Sequence, residues 1–388
     1  METLVRRLEI DLPKGQSTFL WGPRKTGKST LLRSLFQGSI VYDFLKTDLL
    51  LQLTQRPALL REQLLAQSVQ SLARPVILDE VQKVPQILDE VHWLIENEKI
   101  QFILCGSSAR KLKRGQANLL GGRAWRYELF PFISQEISNF DLLRALNQGM
   151  IPEHYLGTRS HCLKSLKAYV LDYLKEEVFS EGLTRNIPAF SRFFESMGYS
   201  HGELTNYTSV ARDSGIDSKT VKEYYQILVD TLLGRFVSPF KKKQNRQIIT
   251  KAPKFYLFDV GVAGILSGRR VAEIKGRDFG RAFEHFIFME LSAHSSYSEL
   301  DYDINFWRTK TGLEVDFILG NGEIAIEVKG TDRVDSRNLR ALKAFMEEHT
   351  PRHALVVSNE KRERIVEGIQ ILPWKIFLER LWQGEIIQ

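Results

Sequence analysis

The feature that most constrains the fold is the glycine-containing stretch GPRKTGKS at residues 22–29, which directly follows the apolar run STFLW. It matches the pattern G-x-x-x-x-G-K-[ST], in which two glycines allow a loop between a buried strand and a helix. Backbone N–H groups of such a loop and of the helix N-terminus point at phosphate oxygens. The pattern predicts a phosphate-binding loop; the alternative is a loop that only turns the chain.

The first 135 residues alternate apolar runs with helix-like segments. Four more strand-like runs follow STFLWG (17–22): SIVYDF (39–44), PVILDE (75–80), QFILCGSS (101–108) and AWRYELFP (124–131). Helical stretches such as STLLRSLFQ and VPQILDEVHWLIENEK lie between them. This alternation predicts a three-layer α/β domain with a parallel sheet.

Specific residues of this domain have the chemistry of a nucleoside triphosphate site. Lys28 would reach the β and γ phosphates, and Ser29 would ligate Mg²⁺. Asp79, at the end of a buried strand, would hold Mg²⁺ through water, and Glu80 would orient or deprotonate the attacking water. The alternative is that both carboxylates only solvate a strand end. The predicted ATP-binding residues are Gly22, Pro23, Arg24, Lys25, Thr26, Gly27, Lys28, Ser29, Thr30, Asp79 and Ser107.

Two further groups have open roles. Ser107 and Ser108 end the fourth strand-like run, where a polar side chain can sense the γ phosphate or form a turn. The arginines after this run are candidates to stabilise the transition state in a neighbouring subunit, and Arg123 is our choice among them. A solvated surface arginine is the alternative. The arginine hypothesis implies a homo-oligomer.

Three regions follow the first domain, which we place at residues 1–135. Residues 136–200 are predicted to be a helical linker. Residues 201–275 contain two helical stretches and a basic strand pair, which is the order of a winged-helix module. Residues 276–388 are predicted to form a second, smaller α/β unit.

The charge distribution favours an anionic partner. The formal net charge is +7, and seven Lys or Arg residues but no acidic residue lie between Asp230 and Asp259. Lys241, Lys242, Lys243 and Arg246 would lie at the tip of the wing, with Lys219 and Lys222 opening the recognition helix. We therefore expect DNA or another nucleic acid as a partner. The alternative is a solvated basic face.

The segment LEVDFILGNGEIAIEVKG predicts a β-hairpin that turns at residues 320–322. Glu327 and Lys329 are two residues apart on one strand and share a face, and the turn brings Asp316 alongside. Two carboxylates that hold Mg²⁺ beside a lysine are suited to phosphodiester hydrolysis. Glu284, on the preceding helix, is a candidate additional ligand. The alternative is a partly exposed ion pair.

The composition excludes several classes of protein. Hydrophobic residues make up 43% and charged residues 26%, the proportions of a globular protein. No run of eighteen uncharged apolar residues occurs, and two cysteines are too few for a disulfide framework. We expect a cytoplasmic protein that does not enter a membrane.

Taken together, WGPRKTGKST, VILDEVQKVP, LCGSSARKL and LLGGRAWRYELFPF resemble the AAA+ ATPases of the archaeal-type ATPase group. The downstream stretches GRAFEHFIFMEL, FWRTKTGLEVDFIL and AIEVKG are similar to the C-terminal region of those proteins. The resemblance implies ATP hydrolysis and a C-terminal region of the PD-(D/E)XK nuclease type. A second arginine sensor after the ATPase core is not evident in the sequence.

Two hypotheses follow from these features. The first is an oligomeric AAA+ ATPase that couples turnover to a DNA-directed, nuclease-like C-terminal region. The second is an ATP-switched regulatory or interaction protein whose C-terminal region only binds DNA or protein. Glu80 favours turnover, and the set of Asp316, Glu327 and Lys329 favours nuclease potential.

Overall fold

The computed structural model describes residues 5–108, 120–170, 186–241 and 252–388. Within these ranges the N-terminal sheet has the order β2-β3-β4-β1-β5, and all of its strand pairs are parallel. Its strands are β1 (Ser17–Trp21), β2 (Val41–Asp43), β3 (Val76–Asp79), β4 (Phe102–Gly106) and β5 (Ala124–Glu128). The predicted strands and the parallel sheet of the N-terminal region are confirmed.

The burial of these strands explains why they could be recognised in the sequence. Every residue of β1, β3 and β4 is buried, because helices cover both faces of the sheet. The edge strand β5 differs, since it exposes Trp125 and Arg126. The helices of this region are α1 (Lys28–Leu35), α2 (Thr47–Gln55), α3 (Leu59–Leu65) and α4 (Ile87–Glu98).

The middle of the chain is helical and ends in a hairpin. The Asn206 carboxamide oxygen accepts from the N–H groups of Thr208 and Ser209 at 3.1 and 3.0 Å, which caps one helix. Asp217 caps the next helix in the same way. The helices are α5 (Leu142–Gln148), α6 (Pro152–Leu156), α7 (Arg159–Ala168), α8 (Ile187–Tyr199), α9 (Tyr207–Ser214) and α10 (Ser218–Asp230), and the hairpin strands are β6 (Gly234–Pro239) and β7 (Lys254–Leu257).

The second sheet has the order β12-β13-β11-β10-β9-β8-β6-β7 in the described residues. Its remaining strands are β8 (Ile304–Arg308), β9 (Glu314–Leu319), β10 (Ile324–Lys329), β11 (His353–Ser358), β12 (Arg364–Val366) and β13 (Ile369–Pro373). The helices around it are α11 (Val260–Leu266), α12 (Gly276–Tyr297), α13 (Arg340–Glu348) and α14 (Trp374–Trp382). β6 pairs with β8 through Ser238 and Asn305. The hairpin therefore extends the C-terminal sheet.

Packing also crosses the boundaries drawn from the sequence. Leu142 and Ala145 of α5 share one hydrophobic core with Phe279 and Phe283 of α12 and with strands of the second sheet. The domain boundaries thus remain a prediction.

No helix in the described ranges is long and apolar enough to cross a membrane.

One buried arginine, Arg6, connects the N-terminal segment to the first region of the chain. Arg6 donates from Nη1 to the Thr26 carbonyl at 2.6 Å and from Nη2 to the Phe130 carbonyl at 2.7 Å. Its Nε lies 3.0 Å from Glu136 Oε2, and both side chains are almost fully buried. The loop at residues 22–27 and the segment that leaves β5 are therefore held by the same guanidinium.

A buried carboxyl group joins α12 to two distant segments. Glu290 Oε1 accepts from the Ser134 N–H and Oε2 accepts from Trp382 Nε1, both at 2.7 Å. Burial raises the pKa of Glu290 from 4.5 to about 7. The stability gained from the protonated form is full below pH 4.5 and is lost as the pH rises through 7.

We predict that Glu290→Gln reduces the pH dependence of stability, because the amide cannot ionise. Between pH 5 and 8 the wild type should lose up to about 3 kcal/mol more than the variant. Urea unfolding followed by tryptophan fluorescence at several pH values measures the difference. Parallel stability curves for the two proteins would contradict the assignment.

Candidate functional site

The loop between β1 and α1 depends on close backbone contact. A Cβ atom on Gly22 would lie 2.4 Å from the Leu129 carbonyl oxygen, so the position has no room for a side chain. Gly27 has φ 96°, a left-handed conformation that favours glycine, and directly precedes α1. Thr26 Oγ1 donates to the Pro23 carbonyl at 2.8 Å and closes the loop on itself. Both motif glycines therefore have a steric role.

Lys28 lies inside this loop and is only 6% exposed. Its Nζ donates to the Gly22 carbonyl at 2.7 Å and to the Pro23 carbonyl at 3.0 Å. Two uncharged carbonyls thus hold the ammonium group. A phosphate oxygen would be a stronger, charged acceptor for the same donor.

Ser29 and Asp79 meet at the end of the first sheet. Ser29 Oγ donates to Asp79 Oδ2 at 2.7 Å, although the residues are fifty positions apart. Asp79 and Glu80 are 6% and 8% exposed, and neither forms an ion pair in the described part of the chain. Buried carboxylates without a counter-ion need a cation, and hydroxyl and carboxylate oxygens are ligands that suit Mg²⁺. The residues present therefore fit the predicted magnesium ion.

Gln82 connects Glu80 to Ser107 and was not predicted. Its Nε2 donates to Glu80 Oε2 at 2.5 Å and to Ser107 Oγ at 3.0 Å. Glu80 itself has φ 58°, which turns the chain sharply after β3. The signal available in the sequence was the glutamine two positions after Glu80, in the run DEVQ. The structure thus joins Glu80 with Ser107 through one buried amide.

Arg123 lies away from these residues within its own chain. Its Nε pairs with Glu96 of α4, and both side chains are partly exposed. This position does not test a role in a neighbouring subunit, so the transition-state arginine stays a prediction. Arg110 and Arg114, the earlier arginines of the same run, lie outside the described residues.

The loop also contacts the helical segment that follows. Lys25 Nζ lies 2.9 Å from Glu153 Oε2 at the start of α6, and the Lys25 contact lowers the pKa of Glu153. The Tyr169 hydroxyl donates to the Arg24 carbonyl at 3.3 Å. Two residues of the predicted phosphate loop are therefore in contact with residues more than a hundred positions later.

The second predicted site lies on the hairpin of β9 and β10. The strands are antiparallel, with Phe317 opposite Ile326. Asp316 Oδ2 accepts from the Val328 N–H at 2.8 Å, and Lys329 forms an ion pair with Glu327. Burial raises the pKa of Asp316 to about 6, and the neighbouring Glu284 charge adds to this shift. Asp316, Glu327 and Lys329 thus share the predicted face.

Lys254 was not predicted to belong to this cluster, and it adds a buried cation to the carboxylates. It is 3% exposed, and its Nζ lies 2.6 Å from Glu314 Oε1 and 3.4 Å from Glu284 Oε1. Glu284 Oε1 also accepts from the Tyr256 hydroxyl at 2.5 Å. Glu284 therefore has a lysine and a tyrosine as partners.

No group of three or more His, Cys, Asp or Glu residues in the described ranges is arranged to hold a metal ion. In the C-terminal cluster, lysine ammonium groups occupy the positions next to the carboxylates. The set of Glu284, Asp316 and Glu327 as metal ligands stays a prediction, as do the catalytic roles of Asp316, Glu327 and Lys329.

The predicted nucleic-acid surface is only partly described. Lys219 and Lys222 are exposed on α10, and Lys222 Nζ lies 5.3 Å from the centre of the Tyr207 ring. Lys241 is exposed at the end of the described part of the hairpin. Lys242, Lys243 and Arg246 lie outside the described residues.

Comparison with known families divides the chain into three matched segments. Residues 14–138 match a model described as an AAA domain. Residues 139–273 and 279–377 match two domains of unknown function, DUF8612 and DUF4143. The AAA match spans the loop, Asp79, Glu80 and Ser107, and supports an ATP-binding domain of the AAA+ type in this region.

Similar proteins include uncharacterised proteins of Mycobacterium bovis and Mycobacterium tuberculosis. Each is 24% identical over 376 residues, which is 95% of this chain and 82% of the relative. Among solved structures, the Aeropyrum pernix ORC1 protein in complex with DNA aligns over 65% of this chain and 86% of its own at 14% identity, with a TM-score of 0.28. Similarity at this TM-score carries no further conclusion.

We predict that Lys254→Met destabilises the protein, because it leaves the partly buried Glu284 without its cation and Glu314 with Arg308 alone. The loss should be about 3 kcal/mol or more. Mn²⁺ should restore part of it by replacing the lost charge, while leaving the wild type unchanged. The thermal unfolding midpoint with and without Mn²⁺ measures both effects.

Lys275→Met is the matched control, because Lys275 pairs with Glu273 on the surface. It should change stability by less than about 1 kcal/mol. An equal rise of the wild-type midpoint with Mn²⁺ would contradict the view that Lys254 takes the place of a metal. It would instead support the predicted metal site.

Proposed function

We propose that the chain binds ATP with Mg²⁺ through residues 22–30 and hydrolyses it. The observation that carries this proposal is the pairing of Ser29 with Asp79 at 2.7 Å beside the buried Lys28. The AAA match to residues 14–138 supports it. When bound, Mg²⁺ neutralises charge on the β and γ phosphates, and Ser29 and Asp79 would hold it.

The chain's own residues then have distinct roles. In the free protein the buried Lys28 ammonium group donates to the Gly22 and Pro23 carbonyls. When ATP binds, it donates to phosphate oxygens instead. Glu80 orients the attacking water and accepts its proton. Gln82 holds Glu80 by one of its carboxylate oxygens and links it to Ser107, which senses the γ phosphate.

Nucleotide binding would be passed on through the contacts of the loop. Lys25 and Arg24 are held by Glu153 and Tyr169, and Ser108 Oγ donates to the Asp230 carbonyl at the end of α10 at 3.4 Å. A movement of the loop or of the β4 end is therefore transmitted to the helices. These contacts would serve in place of a second arginine sensor, which is not evident in the sequence.

We further propose that the ATPase acts as a homo-oligomer on a nucleic-acid partner. Arg123, partly exposed near the edge strand β5, would stabilise the transition state in the adjacent subunit. The helices α9 and α10 with the β6–β7 hairpin would form a winged-helix module, in which Lys219, Lys222 and Lys241 face phosphates.

The role of the C-terminal region has two candidates. The PD-(D/E)XK resemblance favours metal-dependent cleavage of DNA by Asp316, Glu327 and Lys329. A specific observation favours the second candidate, a region that binds DNA or protein without cleaving. Three cations of the chain lie among the four carboxylates of the cluster and form ion pairs with Glu284, Glu314 and Glu327, since Arg308 also pairs with Glu314 at 2.6 Å.

For the first site we predict that Lys28→Ala lowers ATP affinity by about a hundredfold or more, because charge-assisted bonds to phosphate are lost. Glu80→Gln should retain affinity and lower kcat by about a hundredfold or more. Isothermal titration and steady-state hydrolysis separate the two effects. Gln82→Ala should also spare affinity and lower kcat, though less than Glu80→Gln.

Wild-type ATP affinity in the Lys28 variant would remove the phosphate-site assignment. Unchanged turnover in the Glu80 variant would remove only that residue from its role. The control is Arg337→Ala, which removes an exposed ion pair with Asp335 in the C-terminal region. It should leave both ATP affinity and kcat unchanged.

For the C-terminal region we predict no Mn²⁺-dependent cleavage of linear, branched or single-stranded DNA, because lysine ammonium groups among the carboxylates compete with a metal ion for them. The assay is run without ATP, so that the ATPase metal does not contribute. Cleavage by the wild type that persists in Lys28→Ala and disappears in Asp316→Asn would establish a nuclease and overturn the binding-only candidate.

A further inference from the structure

A groove in the helical region has the charge of a ligand site that no family match assigns. It lies between α5, the start of α7 and the loop after α11, and its volume is about 940 Å³. Five cationic side chains line it: Arg144, Arg159, Lys167, Arg269 and Arg270. Asp141 is the only carboxylate among the described lining residues. It caps α5 by accepting from the Arg144 N–H at 3.0 Å.

Arg269 has donors that lack acceptors. Its Nε and Nη2 are both buried and have no hydrogen-bond partner in the described ranges. Because neither nitrogen is accessible to solvent, Arg269 contributes positive charge to the wall of the groove. The exposed lining cations are Arg159, Lys167 and Arg270, and these are the donors that an anionic ligand can contact.

The walls of the groove are held in place before any ligand binds. Asn147 of α5 donates to the Val271 carbonyl at 2.9 Å and accepts from the Val271 N–H at 3.0 Å. Arg144 donates to the Gly157 carbonyl at 2.8 Å, which ties α5 to the start of α7. Because the walls are already ordered, a ligand would bind without the entropic cost of ordering them.

The rim is aliphatic rather than aromatic. Leu156 and Leu163 line the groove and are 56% and 41% exposed. Among the described lining residues there is no Phe, Tyr or Trp, so a nucleobase has no ring to stack on. A sugar-phosphate chain would also leave both leucines uncovered. Carboxylates next to aliphatic side chains satisfy both the cations and the leucines.

We propose that this groove binds an acidic peptide segment of a partner protein, in which Asp or Glu side chains alternate with Leu-like side chains. The exposed Arg159, Lys167 and Arg270 pair with its carboxylates, and the charge of Arg269 adds to the positive potential of the wall. The volume is at the upper end for small-molecule pockets and suits a short peptide. The proposal does not depend on ATP hydrolysis.

The test uses a phage-displayed library of random dodecapeptides on the immobilised full chain, with counter-selection against an Arg269→Gln/Arg270→Gln variant. The enriched peptides should combine Asp or Glu with Leu or Ile. The leading peptide, labelled with fluorescein, should bind with one-to-one stoichiometry by anisotropy. Arg159→Gln and Arg270→Gln should each raise its Kd by about threefold or more, and the exposed Arg337→Gln should not change it.

Three results would overturn the proposal. The first is enrichment without acidic residues, and the second is an unchanged Kd in both single variants. The third is an oligothymidylate of twenty nucleotides that displaces the peptide and loses affinity in Arg270→Gln, which would assign the groove to nucleic acid. Because Arg159 and Arg270 are exposed, neither substitution should lower the unfolding midpoint.

Discussion

The buried ion pair of Arg6 with Glu136 is the interaction on which the arrangement around the loop depends. The guanidinium reaches the Thr26 and Phe130 carbonyls, while Glu136 also accepts from the Arg7 and Ile133 N–H groups. Loss of either partner would leave a charge buried without compensation. The loop that holds Lys28 and the segment that leaves the first sheet therefore share one buried guanidinium, and Lys25 and Arg24 of the same loop contact the helical segment.

Much of the N-terminal region could be predicted, because its local sequence agrees with its environment. Strands buried on both faces are nearly continuous apolar runs, and β1, β3 and β4 are of this kind. The glycines of the loop are required by close backbone approach and by a left-handed conformation, so they appear as a pattern. The hairpin of β9 and β10 could also be predicted, since its turn contains two glycines and apolar residues alternate on either side of it.

The features that were missed depend on contacts between distant residues. β12 is short and exposes Ile365, so it has no buried pattern in the sequence. Lys254 precedes its carboxylate partners by thirty or more positions, and His201 Nε2 lies 2.9 Å from His285 Nδ1 across 84 positions. Such pairs join segments that lie far apart in the chain, so local sequence patterns do not indicate them. The charge of the basic segment was visible, but not the partner of each cation.

The two carboxylate sites differ in how their charge is balanced, and this difference bears on where a metal would bind. Asp79 and Glu80 are buried with a serine and a glutamine as partners, and no ion pair compensates them in the described part of the chain. The C-terminal cluster contains Lys254 and Lys329 within its carboxylates. A divalent cation at the first site would relieve an unbalanced charge, whereas at the second it would compete with ammonium groups for Glu284, Glu314 and Glu327. We therefore expect a cation to bind more readily beside the loop at residues 22–27 than in the C-terminal cluster.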